Sequence, residues 1–118
     1  MTSEEALNHF LGVFPKRWRC RYRSLLGTKK GKETFLNDLW HQFEKRIDEA
    51  KVVQDIPQKA WSLPAFSFSG NGEFGKKEKS IQDAFSSIGD GSLIIDSTGK
   101  YGIYQPEDMV DDIKYIII

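Results

Sequence analysis

Ser92-Leu-Ile-Ile-Asp96, Tyr101-Gly-Ile-Tyr-Gln105 and Ile113-Lys-Tyr-Ile-Ile-Ile118 are the stretches whose reading decides the fold. The first two flank Ser97-Thr-Gly-Lys100, a connection of hairpin length in which Gly99 can supply a positive φ without steric cost. The third is so apolar that it must be paired or covered, because an open edge of that composition would template aggregation. Together they predict three strands of one mainly antiparallel sheet, with Pro106-Glu-Asp-Met-Val-Asp-Asp112 as a turn or short helical turn before the last strand.

Such a sheet needs a cover, and the segment from Glu33 to Ala50 is suited to it. Leu36, Leu39, Trp40, Phe43 and Ile47 recur at helical spacing on one broad stripe with Phe35 at its border. A first helix is expected over Ser3–Phe14, capped by Thr2 or Ser3, with Leu7, Phe10, Leu11 and Phe14 on one face and Pro15 ending it. A short one should start at Ser80, use Ile81, Ala84, Phe85 and Ile88 as its apolar face, and stop at Gly89. Val52 to Ile56 reads as a short strand. Ala60 to Phe68 reads as another that Pro64 would confine to an edge or bulge, and the Gly-rich run from Ser69 to Lys77 reads as a loop. The expected architecture is a single α+β domain over residues 1–118, a mainly antiparallel sheet packed against two or three helices.

Between the first helix and the cover lies Lys16-Arg-Trp-Arg-Cys-Arg-Tyr-Arg23. Trp18, Cys20 and Tyr22 alternate with Arg17, Arg19, Arg21 and Arg23, which is the period of a strand with aromatics inward and guanidinium groups outward. The same stretch also fits a helix, since Trp18, Tyr22, Leu25 and Leu26 fall at i, i+4, i+7 and i+8. The strand is preferred, because a helix would scatter the four arginines around its circumference and leave Cys20 unexplained.

Charge cancels over the chain, 17 basic against 17 acidic residues, but unevenly. From Lys16 to Lys32 there are eight Lys or Arg and no acid, while Ser80 to Ile118 carries seven Asp or Glu against two Lys. That asymmetry suits either a surface for an anionic partner or two segments that face each other in the fold. No apolar run is long enough for a membrane span, and acids stand near the N-terminus where a secretory signal would be basic, so a cytoplasmic, non-membrane protein is expected. Cys20 is the single cysteine, which excludes an intrachain disulfide.

Catalytic and metal-binding patterns fall short on chemical detail. Gly27-Thr-Lys-Lys-Gly-Lys-Glu-Thr34 has three residues between its glycines where a phosphate-binding loop has four, and Glu33 occupies the place of the magnesium-binding hydroxyl. His9 and His41 have no second His or Cys at ligand spacing, and alternation puts Cys20 on the packed face, where thiols are inert. His41, next to the apolar stripe, is expected at the core boundary. Asp90, Asp96, Asp108, Asp111 and Asp112 lack the spacing of a calcium loop and read as solvated turn acids.

No catalytic residue, cofactor or metal site is therefore expected. The composition favours a non-enzymatic protein-binding module, of the inhibitor or immunity type, that uses segregated surface charge. The alternative is a nucleic-acid or polyanion binder acting through segment 16–32. Both readings place the binding residues at Arg17, Arg19, Arg21, Arg23, Lys29, Lys30 and Lys32, with the Asp-rich turn at 107–112 as the other charged surface.

Overall fold

Thr2 starts the first helix by accepting the Glu5 amide on its hydroxyl at 3.1 Å, while the Glu5 carboxylate accepts the Thr2 amide at 2.8 Å. In this computed structural model, which describes residues 1–107 and 113–118, α1 spans Ser3–Phe10 and tightens into a 3-10 turn at Leu11–Val13 before Pro15. Helix α2 spans Lys16–Leu25, α3 spans Lys29–His41 with Thr28 as its cap, and the four-residue α4 spans Phe43–Arg46. Strand β1 is the short Val52–Val53. After a 3-10 segment at Gln58–Ser62 come β2, Ala65–Ser69, and β3, Phe74–Glu78. Helix α5, Ile81–Phe85, is capped by Ser80, whose hydroxyl accepts the Asp83 amide at 3.1 Å; then follow β4, Ser92–Asp96, β5, Tyr101–Gln105, and β6, Lys114–Ile117.

All six strands form one antiparallel sheet in the order β1-β6-β5-β4-β2-β3. The three C-terminal strands pair as the sequence predicts, Ile94 opposite Ile103 and Ile103 opposite Tyr115. Gly99 takes φ +75° in the β4–β5 turn, where Asp96 accepts the amides of Thr98, Lys100 and Tyr101. Asp96 is therefore not the solvated turn acid expected: a carboxylate with that many donors is satisfied although almost wholly buried. The apolar end of the chain is protected because β6 lies between β1 and β5, and Ile116 is fully buried.

Alternation along the strands gives the sheet two apolar faces. Phe66, Phe68, Leu93, Ile95, Tyr104 and Ile116 point to one, which α1, α3, α4 and the segment before Pro15 cover through Leu7, Phe10, Phe14, Phe35, Leu39 and Phe43, while α2 packs against α3. Ala65, Ile94, Tyr101 and Ile103 point to the other, covered by α5 and the Gln58–Ser62 turn through Ile81, Ala84 and Ala60. At about 1.5–3 kcal/mol per fully buried large side chain, the first layer is the larger source of stability.

The expected α+β class holds, and several expected elements change. Residues 17–25 are helical, so the preferred strand reading is overturned. The expected helix over 33–50 starts earlier and breaks at Gln42, whose backbone turns away at φ −127° before α4 resumes; Phe43 and Ile47 still reach the core. The run from Ser69 to Lys77 is not all loop. Phe74 pairs back onto Phe68, their rings edge to face with centroids 5.1 Å apart, and β3 forms beyond the turn. Nor is the Pro64 strand an edge. β2 begins one residue later and is interior, while Pro64 contributes only its carbonyl, to the Ser97 amide at 2.7 Å. The described residues form five α-helices, two of them no longer than five residues, where two or three were expected. Asp108, Asp111 and Asp112 of the Asp-rich turn lie outside the described residues.

Candidate functional site

At about 100° per residue, a helix over 16–25 puts Trp18, Tyr22, Leu25 and Leu26 on one side. That side is the one that packs. Tyr22 is fully buried and Leu26 nearly so, while Trp18 and Leu25 are half-buried at the margin. The four arginines then separate into two pairs, Arg17 with Arg21 along one flank and Arg19 with Arg23 along the other, each pair about 40° apart. Cys20 falls opposite the packed side and is exposed, which corrects its expected place on the packed face. The alternation was real but served a helix whose apolar stripe is narrow.

Tyr22 anchors α2. Its ring meets Phe14 and Phe35 edge on, with centroids 4.9 Å and 5.3 Å away. Its hydroxyl donates to Asp38 Oδ2 at 3.0 Å, and Arg46 Nη1 donates to the same carboxylate oxygen at 2.6 Å and to the tyrosine oxygen at 3.0 Å. Burial pushes the Tyr22 hydroxyl up to about 12, opposed by the Arg46 hydrogen bond and reinforced by the Asp38 charge. The Arg46 guanidinium also stacks on Trp18, its carbon 3.8 Å from the ring centroid, and Arg17 approaches the same ring at 5.1 Å.

These groups surround a groove of about 450 Å³ lined by Arg17, Trp18, Arg21, Ser24, Leu25 and Arg46. Three guanidinium groups from two helices thus converge on an aromatic and aliphatic wall. Arg46 is held by a carboxylate and a hydroxyl, with its side chain 19% exposed, so it is pre-positioned, whereas Arg17 and Arg21 are exposed. Among the described residues, neither Arg17 nor Arg21 has an acid within ion-pair distance.

The remaining sequence-derived site residues are dispersed. Arg19 is half-buried on the opposite flank, and Arg23 reaches the Asn8 carbonyl at 3.4 Å. Lys29 and Lys30 open α3 and are exposed. Lys32 is paired with Glu4 at 2.5 Å and lies 5.3 Å from the Phe74 ring centroid. No sequence pattern marks Arg46. An unbroken helix over 33–50 gives it no relation to Trp18, and only the break at Gln42 turns it back toward α2.

Neither histidine meets Cys20 in a hydrogen bond. His9 Nδ1 is 3.3 Å from the Gly99 carbonyl, and His41, exposed and not at the core boundary, has Nδ1 3.1 Å from Glu107 Oε2. Among the described residues, no three His, Cys, Asp or Glu side chains are grouped to hold a metal ion. No described helix is long and apolar enough to cross a membrane. A wider depression of about 660 Å³ opens beside Trp61 and α5, and its charged side chains, Lys79 and Asp83, are of opposite sign. Comparison with protein-family models, curated proteins and solved structures gave no match for the chain.

Proposed function

We propose that this chain is a non-enzymatic protein-binding module, of the kind that occludes another protein, and that it docks an acidic segment of its partner along the Arg17–Arg21 flank of α2. One observation carries the reading: two arginines with no ion-pair partner among the described residues and a pre-positioned third converge around Trp18 in a groove. Arg and Trp are the side chains that dominate binding energy at protein interfaces, and rigid placement lowers the entropy lost on docking. Carboxylates suit such a site because guanidinium groups bind them in bidentate fashion.

A second reading, binding of a nucleic acid or other polyanion, draws on the exposed Arg23, Lys29 and Lys30, which extend positive charge beyond the groove. Net charge of zero weighs against it, since such binders gain affinity from summed phosphate contacts.

Two charge-reversal pairs test the choice. Arg17→Glu with Arg21→Glu should abolish binding of a labelled Glu-rich peptide, while Arg19→Glu with Arg23→Glu should leave most of it. Both variants should unfold at nearly the parent urea midpoint. Failure of the parent to bind the peptide, or equal loss in both variants, overturns flank-specific docking. Tighter binding of oligothymidylate than of the peptide, with loss in both variants, transfers the function to polyanions.

A further inference from the structure

The charge balance of the groove narrows the group it takes, and the inference rests on the docking proposed above. Arg17, Arg21 and Arg46 bring three positive charges, and Asp38 compensates that of Arg46. Two positive charges therefore face the cavity. A carboxylate or a phosphodiester brings a single negative charge, whereas a phosphomonoester carries about −1.5 to −2 at pH 7 and three acceptor oxygens. Donor supply points the same way. Arg46 spends Nη1 on Asp38 and Tyr22, which leaves Nε and Nη2 without a hydrogen bond among the described residues, beside the full forks of Arg17 and Arg21. Two carboxylate oxygens would leave part of this set unused; three phosphoryl oxygens match it better.

The wall of the groove contributes as well. Trp18 and Leu25 offer half-buried apolar surface beside the cations, and about 450 Å³ exceeds what a bare anion fills. A phosphoryl group on a side chain would place its oxygens among the arginines and its stem against Trp18. We propose that the Arg17–Trp18–Arg21–Arg46 groove recognises a phosphorylated side chain within an acidic segment of the partner protein.

The test uses the full chain and one Glu-rich peptide in three forms, with phosphotyrosine, phosphoserine or Glu at its centre, followed by fluorescence anisotropy. At least one phosphopeptide should bind about tenfold or more tightly than the Glu form, as expected for one to three added charge-assisted hydrogen bonds. Arg17→Gln and Arg21→Gln, both at exposed positions, should each reduce that preference without moving the urea midpoint. Equal binding of all three peptides overturns phosphoryl recognition and leaves acidic docking intact; binding of none removes both. Oligothymidylate binding more tightly than either phosphopeptide reassigns the groove to phosphodiesters. A phosphopeptide preference that survives both arginine substitutions places recognition elsewhere and defeats the inference.

Discussion

Tyr22 and Asp38, on adjacent helices, share a hydrogen bond of 3.0 Å that is closed into a triangle by Arg46. The bond couples the core to the groove, because the guanidinium that neutralises Asp38 is the one stacked on Trp18. Asp38→Ala leaves the Arg46 charge and the Tyr22 hydroxyl without their acceptor in a largely dry place. The expected loss is about 3 kcal/mol, read from the urea midpoint, because removing one member of a buried pair costs more than the pair contributes. Asp38→Asn keeps an acceptor and should lose less. Equal losses in the two variants would show that packing volume, not the carboxylate, matters at this position.

Alkaline pH should attack the same layer. Tyr22 is raised to about 12 from its ordinary 10.0, chiefly by burial, and burial also raises Tyr104, whose hydroxyl donates to the Leu39 carbonyl. The folded chain therefore holds these protons more tightly than the unfolded one. The resulting stability is complete below the unfolded value near pH 10 and is lost as pH rises toward and through the folded value. Urea midpoints should be flat just below pH 10 and fall above it, with a shallower fall in Tyr22→Phe. An identical slope in that variant would remove Tyr22 as a source.

At Gly31 the start of α3 packs directly against the end of α2. A Cβ there would collide with the Leu25 carbonyl, a backbone atom that cannot swing aside. Gly31→Ala should cost about 2 kcal/mol or more through forced separation of the helices, and it should also disturb the groove, since Leu25 lines it. Gly12→Ala is the control: its new methyl would meet only Ile118, at an ordinary 3.7 Å. A melting temperature equally unaffected in both would mean that the helices part more easily than their packing implies.

Ile116 is fully buried with strands on both sides, so Ile116→Ala should lose about 2–5 kcal/mol. Ile118, half-buried and beyond the strand, should tolerate the same change with a smaller loss. The two urea midpoints give the answer directly, and a larger loss at Ile118 would contradict the sheet order.

Strands with alternating or wholly apolar residues and a glycine turn were legible in the sequence because their pattern reflects burial alone. Leu93, Ile94, Ile103 and Ile116 would be buried in any arrangement that satisfied them. In segment 16–25 period two and the i, i+4, i+7, i+8 spacing coincide on Trp18 and Tyr22, so the sequence pattern alone does not choose the helix; neighbours decide between them. What decided was Tyr22, whose ring and hydroxyl both find partners in α3 and α4. Arg17 and Arg21 stand out in the sequence as part of a basic row, but their separation from Arg19 and Arg23 follows from the helix. Arg46 could not be found from spacing, because its role depends on a break in the helix that the apolar stripe of Phe43 and Ile47 conceals.

The pairing of Val52 with Ile116 joins positions more than half the chain apart. Helices α1 to α4 can meet through short loops, whereas β1 has no sheet to join until β6 has been laid beside β5. Ordering a distant loop costs entropy before any contact repays it, so closure of this edge should be the late event in folding. In pulsed hydrogen exchange during refolding, the α2 and α3 amides should gain protection before those of Val53 and Tyr115, and simultaneous protection would refute that order. Until the edge closes, β6 offers a bare row of amides and carbonyls, and with them the time window in which a second chain could be captured.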